Sequence, residues 1–108
     1  MFPEHTHLHK RQTGPGKGEF IELTMRIALV ERIQSDSFEN WSGEHPEQYL
    51  NPMRRGALAG ISGHGLGALT VALIEARWLA TDTPECLFEQ GARICAEEAL
   101  RKLTTRTG

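Results

Sequence analysis

The chain has 108 residues, of which 39% are hydrophobic, and a formal net charge of −2 at pH 7. This length predicts one domain with a modest core. The charges are spread without a basic block, which argues against nucleic acid as a direct partner. No cationic segment followed by an apolar one opens the chain, so no signal peptide is expected. Cys86 and Cys95 are spaced to face opposite sides of a helix, and two free thiols without a signal predict a cytoplasmic protein.

Residues 1–19 predict a flexible N-terminal arm, because they are rich in glycine and polar side chains and poor in apolar anchors. His5, His7 and His9 alternate, so an extended strand would present all three on one side. A metal site is the alternative there, although a structural zinc ion normally needs four ligands. The remainder, 20–108, is expected to form a single helical domain.

The segment 20–33 fits either a helix or a single strand. The alternating apolar residues of a half-buried strand are Ile21, Leu23, Met25, Ile27 and Leu29. A helical stripe is formed equally well by Phe20, Leu23, Ile27 and Val30. The residue types are good helix formers, so we expect a helix. A strand would lack a partner within the chain and would have to pair with a second copy.

Residues 35–51 predict a long acidic linker, since they combine serine, glycine and proline with four acidic side chains. A connection of this length is uncommon inside a compact domain unless it is functional or partly ordered. Its aromatic residues, Phe38, Trp41 and Tyr49, are expected to fold back over the small core as a lid.

The one long apolar run extends from Gly56 to Ala80 and carries no formal charge as far as Ile74. Asn51-Pro52 before it is a helix start signal, so a helix is expected over about 52–81. Four glycines would leave one side of this helix bare and let another backbone approach closely. They are Gly56, Gly60, Gly63 and Gly67. Because each glycine weakens a helix by about 1 kcal/mol, a break at Gly63–Gly65 is the alternative.

A second helix is expected over 83–104, where Asp82 or Thr83 provides a cap and Pro84 suits the first turn. Its apolar face consists of Phe88, Ala92, Cys95, Ala99 and Leu103. The turn before it is short, so the two helices should pack as an αα-hairpin. The predicted fold class is therefore mainly α, a small helical domain built on 52–81 and 83–104.

The glycine-rich turn Gly63–Ala68 also matches the pattern of a dinucleotide-binding loop, with Asp82 at a distance suited to a ribose hydroxyl. That pattern needs a strand directly before it, and residues 54–60 make a poor strand. A nucleophile elbow at Ser62 fits less well, because His64 replaces the last glycine of the motif. A membrane span is disfavoured by the five glycines in the apolar run. The alternative function is a small enzyme or a nucleotide- or phosphate-binding protein that uses Gly63–Ala68.

No catalytic residue, cofactor or metal is assigned, and we expect the apolar surface to act by binding protein. The residues assigned to a dimer or partner interface are Gly60, Leu66, Gly67, Leu69, Leu73 and Trp78. With its length, its helical character and the run HGLGALTVALIEARWLA, the chain resembles the QslA-like quorum-sensing anti-activators of pseudomonads. The resemblance implies a homodimer that binds the ligand-binding domain of a LuxR-type transcription factor. Such binding would block dimerisation and DNA binding of that factor without any chemistry.

Overall fold

The computed structural model describes residues 3–29, 35–79 and 83–107 of the chain. The strands are β1 (Glu4–Gly14), β2 (Lys17–Leu29), β3 (Ser37–Asn40) and β4 (Leu69–Trp78), and the helices are α1 (Glu47–Gly60) and α2 (Glu85–Thr107). The four strands form one sheet in the order β1-β2-β4-β3. β2 pairs antiparallel with both β1 and β4, whereas β3 pairs parallel with β4.

The predicted mainly α fold class is wrong, because the chain forms an α/β fold on a mixed sheet. Of the helix expected over 52–81, only the first part is helical, and residues 69–78 form β4. The helix expected over 83–104 is present as α2, but it has no helical partner of the predicted length. α1 ends at Gly60, and the following loop contains three glycines at positive φ, a backbone conformation that ends a right-handed helix.

β4 is an inner strand of the sheet, between β2 and β3, and its residues 69–73 are all buried. A strand that is apolar on both sides shows no alternation, so its pattern cannot be told from that of a buried helix.

The ambiguous segment 20–33 contains the C-terminal part of β2, so the helix expected there is wrong. Its strand alternation describes the structure, since every second residue is fully buried on one side of the sheet. These residues are Ile21, Leu23, Met25 and Ile27. The partners of β2 are β1 and β4 of the same chain, so no second copy is needed to pair it. Residues 30–33 lie outside the described part of the chain.

Residues 4–14, within the predicted N-terminal arm, form β1. β1 pairs with β2 from Glu4 opposite Arg26 to Gln12 opposite Gly18. The division of the chain into an arm over 1–19 and a domain over 20–108 stays a prediction.

α1 and α2 cover one face of the sheet, and their apolar residues join those of β2 and β4 in one core. The helices contribute chiefly Met53, Ala57, Phe88, Ala92, Cys95, Ala96 and Ala99. Two glycines of α1 allow the helix backbones to touch. A Cβ at Gly60 would lie 2.6 Å from the carbonyl oxygen of Arg93, and one at Gly56 would overlap the carbonyl oxygen of Glu89. The close approach expected of the glycines therefore occurs at these two positions, with α2 as the partner.

The opposite face of the sheet carries polar pairs. Arg77 donates a hydrogen bond of 2.6 Å to Glu22, and the hydroxyl groups of Thr6 and Thr24 are 2.8 Å apart. Opposite charges and threonines across neighbouring strands each stabilise a sheet modestly. The two helices do not cover this face, which continues along β1 and β2 to the turn that joins them.

Candidate functional site

A two-stranded arm projects from the end of the sheet. The pairing of β2 with β4 ends at Ile21 opposite Trp78, whereas β1 and β2 continue to pair as far as Gly14 and Lys17. The strands rise by about 3.3 Å per residue, so the arm extends roughly 15 Å beyond the last β4 pair. Among the described residues, no third strand lies beside this part of β1 and β2.

This arm is cationic. Residues 10–18, KRQTGPGKG, contain three basic and no acidic side chains, in a chain whose net charge is −2. Lys10 and Arg11 are exposed, and neither makes an ion pair within the described part of the chain. Gly16 turns the chain with a φ of +68°, which favours glycine. Unpaired cations on a narrow protruding ribbon suit an anionic partner.

A cavity of about 450 Å³ lies at the base of the arm. Phe20 of β2 and Leu79, just after β4, form its apolar wall, and Lys10, Arg11 and Gln12 of β1 line it as well. The backbone N–H of Leu79 donates to the carbonyl oxygen of Phe20 at 3.1 Å, which holds the two apolar residues side by side. The volume falls within the usual range of about 300–1,000 Å³ for ligand pockets.

At the opposite end of the sheet, an aspartate and a histidine fasten the loop between α1 and β4. The His64 side chain is almost completely buried, and its Nε2 lies 2.9 Å from Asp36 Oδ1. Its Nδ1 accepts the N–H of Leu66, so Nε2 carries the proton that it donates to the carboxylate. Burial acts to raise the pKa of Asp36, but the hydrogen bonds from His64 and from Leu69 N–H outweigh it and hold that pKa below its usual value.

The structure of this loop also argues against the two motifs that its sequence resembles, the dinucleotide-binding loop and the nucleophile elbow. Gly63–Ala68 follows a helix and precedes a strand, which is the reverse of the order that dinucleotide binding requires. Ser62 Oγ donates to the carbonyl oxygen of Ala59 at 3.0 Å, and His64 is occupied by Asp36 and Leu66. The arrangement fastens a loop, and the nucleotide-binding alternative has no support from its geometry.

The residues assigned to an interface lie in different parts of the structure. Gly60 packs against α2, whereas Leu66 and Gly67 lie exposed in the loop. Leu69 and Leu73 are fully buried in the core, and Trp78 packs on Phe88 with ring centroids 5.2 Å apart. A role for these six residues in an interface stays a prediction, and for Leu69 and Leu73 the chain's own helices already supply the partner.

The three alternating histidines lie on the helix-facing side of β1. His7 packs against Gly91 of α2, where a Cβ would lie 3.3 Å from the imidazole Cδ2, and His9 Nε2 is 3.1 Å from Glu19. Within the ranges that the structure describes, no group of three or more His, Cys, Asp or Glu side chains is placed to hold a metal ion.

These histidines predict a loss of stability in mild acid. Burial is the largest cause of a lowered pKa for His5 and for His7, and neighbouring positive charges, Lys102 for His5 and the flanking histidines for His7, act in the same direction. The folded state therefore binds fewer protons than the unfolded state, in which histidine has a pKa of 6.5. Their contribution is complete above that pH and is lost as the pH falls below it. We expect the melting temperature to fall between pH 7.5 and pH 5.5.

The measurement is thermal unfolding by circular dichroism at both pH values, compared with the double variant His5→Gln, His7→Gln. The variant should show a smaller decrease. Asp36 does not interfere, because its carboxyl group titrates below this window. An equal decrease in both proteins would assign the acid sensitivity to other groups.

Comparison with known proteins relates the chain to a translation factor. It is 33% identical over 106 residues to elongation factor G of Ruegeria sp. (strain TM1040), a match that covers 92% of this chain and 15% of that protein. Elongation factor G of Ruegeria pomeroyi is 30% identical and that of Dinoroseobacter shibae 29%, with the same coverage. The chain is similar to one part of elongation factor G. It spans 15% of the length of these relatives, and no protein-family model matches it.

A solved structure supports the fold. The crystal structure of ttk003000868 from Thermus thermophilus superimposes with a TM-score of 0.67, covering 90% of this chain and 15% of that chain. At 19% sequence identity, this likeness concerns the fold alone. Within the described ranges, no helix is long and apolar enough to cross a membrane.

These matches overturn the expected family and function. The resemblance to QslA-like anti-activators is wrong, since the relatives found over 92% of the chain are named as elongation factors. The predicted role as a quorum-sensing anti-activator is wrong for the same reason. So is the partner prediction, a homodimer bound to a LuxR-type factor with no direct nucleic acid. The resemblance depends on a helix predicted over residues 64–80, most of which form a loop and β4.

The β1–β2 hairpin has a signal in the sequence that the prediction of a flexible arm over 1–19 leaves out. Two alternating segments, 4–12 and 18–28, flank Gly14-Pro15-Gly16, which is the pattern of a β-hairpin. The alternating histidines His5, His7 and His9 belong to the first of these segments. Asp36 carried no local signal, because its partner His64 is distant in sequence.

Proposed function

We propose that this chain is a ribosome-directed domain of the elongation factor G type, which acts in the cytoplasm by binding and not by catalysis. The observation that carries this proposal is the match to elongation factor G along 92% of the chain. Translation elongation takes place on the ribosome, so a domain of this type has the ribosome as its partner. Because the chain corresponds to 15% of its relatives, any chemistry of the whole factor is assigned to the other parts.

The cationic arm is the surface proposed to contact ribosomal RNA. RNA is recognised largely through its shape and its phosphates, and exposed lysine and arginine side chains bind phosphate oxygens. Lys10 and Arg11 are available for this, since no acidic side chain of the described residues pairs with them. Acidic and basic residues nearly balance over the whole chain, so its net charge of −2 does not reveal this local positive charge. The net charge alone therefore argued against RNA as a partner.

Replacing Lys10 and Arg11 together by glutamine is expected to weaken ribosome binding and its salt dependence. Removal of two phosphate contacts should reduce the slope of log K against log salt concentration by about 1.4–1.8. The measurement is co-sedimentation of the purified chain with bacterial ribosomes between 50 and 300 mM potassium chloride.

The matched control is Arg54→Gln with Arg55→Gln. These exposed residues lie on α1, and their replacement removes the same charge from another surface. The control should keep the affinity and the slope of the unmodified chain. An equal loss in both double variants would mean that net charge, and not the arm, governs binding. Absence of ribosome binding by the unmodified chain would contradict the proposed function itself.

A further inference from the structure

The cavity at the base of the arm has a wall that is fixed before any ligand arrives. Thr83 Oγ1 donates to the carbonyl oxygen of Phe20 at 3.0 Å and accepts the N–H of Phe20 at 3.2 Å. The N–H of Leu79 bonds to that same carbonyl oxygen. Three hydrogen bonds therefore hold the backbone of Phe20 next to Leu79, whose surface is still 48% exposed. A ligand placed here meets an apolar surface that loses little conformational entropy on binding.

The polar side of the cavity has the composition of an anion site. Lys10 lies directly opposite Phe20 in the β1–β2 pairing, so both side chains lie on one face of the arm. Gln12 lies opposite Gly18 on that same face, where a Cβ at position 18 would lie 3.1 Å from the carbonyl oxygen of Arg11. The acidic residue of the cavity, Glu19, is engaged by His9 at 3.1 Å.

We propose that this cavity receives one unpaired nucleobase of an RNA strand. The base stacks on the ring of Phe20 beside Leu79, the Gln12 amide reaches its polar edge, and Lys10 binds a flanking phosphate. An apolar aromatic wall next to unpaired cations is the combination that single-stranded nucleic acids require. An acidic peptide would use the cations but would leave the flat wall without a matching ring. That the RNA is ribosomal rests on the proposed function.

The inference is tested with two RNA probes of equal charge, an octamer of adenylate and the same octamer with abasic ribose at every position. The chain is expected to bind the adenylate octamer roughly 5- to 100-fold more tightly, in keeping with the stacking of one base. Phe20→Leu keeps an apolar side chain in the strand and should reduce this preference to about twofold or less. Leu79→Ala changes an exposed side chain of the wall and should reduce it as well.

Leu8→Ala is the control, because Leu8 is an exposed apolar residue of β1 outside the cavity and its replacement should leave the preference unchanged. Equal affinity of the unmodified chain for the two octamers would overturn the inference, as would a preference that persists in both Phe20→Leu and Leu79→Ala. Co-sedimentation with ribosomes separates this failure from that of the proposed function. If the base preference is absent while ribosome binding persists, only the nucleobase site is lost.

Discussion

Replacing Phe88 with alanine is expected to lower the free energy of unfolding by about 3–5 kcal/mol. Phe88 is fully buried, and its ring centroid lies 5.1 Å from that of Tyr49 and 5.2 Å from that of Trp78. The residue therefore joins α2, α1 and β4 at one point of the core. Small domains are stable by only about 5–15 kcal/mol, so this single change removes a large fraction of the total.

Urea unfolding followed by circular dichroism measures this loss. Leu8→Ala is a suitable control, because Leu8 is 54% exposed and its truncation should change stability by no more than about 0.5 kcal/mol. A loss below about 1 kcal/mol for Phe88→Ala would mean that the aromatic cluster does not hold the three elements together. Because Trp78 directly precedes Leu79, the variant should also loosen the wall of the cavity at the base of the arm.

Replacing Gly56 with alanine is expected to destabilise the chain by about 2–3 kcal/mol, although alanine favours a helix over glycine by about 1 kcal/mol. The added Cβ would overlap the carbonyl oxygen of Glu89 and would lie 3.1 Å from the Cβ of Ala92. A backbone carbonyl in a helix cannot rotate away, so α1 and α2 would have to separate along their contact. The steric penalty therefore outweighs the gain in helix propensity.

The same urea measurement on Gly14→Ala supplies the matched comparison. A Cβ at Gly14 meets no heavy atom within 4 Å, and its φ is not positive. This variant should stay within about 0.5 kcal/mol of the unmodified chain. Stabilisation by Gly56→Ala would show that the helices have room to spare, and the close packing of α1 on α2 would then be excluded.

Local patterns were sufficient for some features of this chain. The C-terminal helix is predicted by Pro84, by Glu85 and by an apolar face at helical spacing. That face is visible in the sequence because only one side of α2 packs against the core. The glycines of the central run marked both a close helix contact, at Gly56 and Gly60, and the end of a helix. Each of these patterns spans only a few residues, so the local sequence is enough to predict the feature.

The strands needed partners that only the folded chain supplies. β4 has no period of its own, since β2 and β3 lie on its two edges and its first five residues are buried. The alternation in β2 fits a strand, but the sequence shows no partner for it as long as residues 1–19 are predicted to be a flexible arm. A sheet is stabilised by pairs of side chains on strands that are far apart in sequence. A strand that is not predicted therefore leaves its neighbours without a predicted partner.

The candidate site depends on tertiary structure in the same way. Lys10 and Arg11 lie on a projecting arm only because the pairing of β4 with β2 ends at Trp78. Phe20 and Leu79 are separated by most of the chain, and a backbone hydrogen bond brings them to one cavity wall. Composition and spacing therefore determined which residues carry charge and apolar surface, whereas the order of strands in the sheet decided which of them meet, because contacts across a sheet do not follow the order of the sequence.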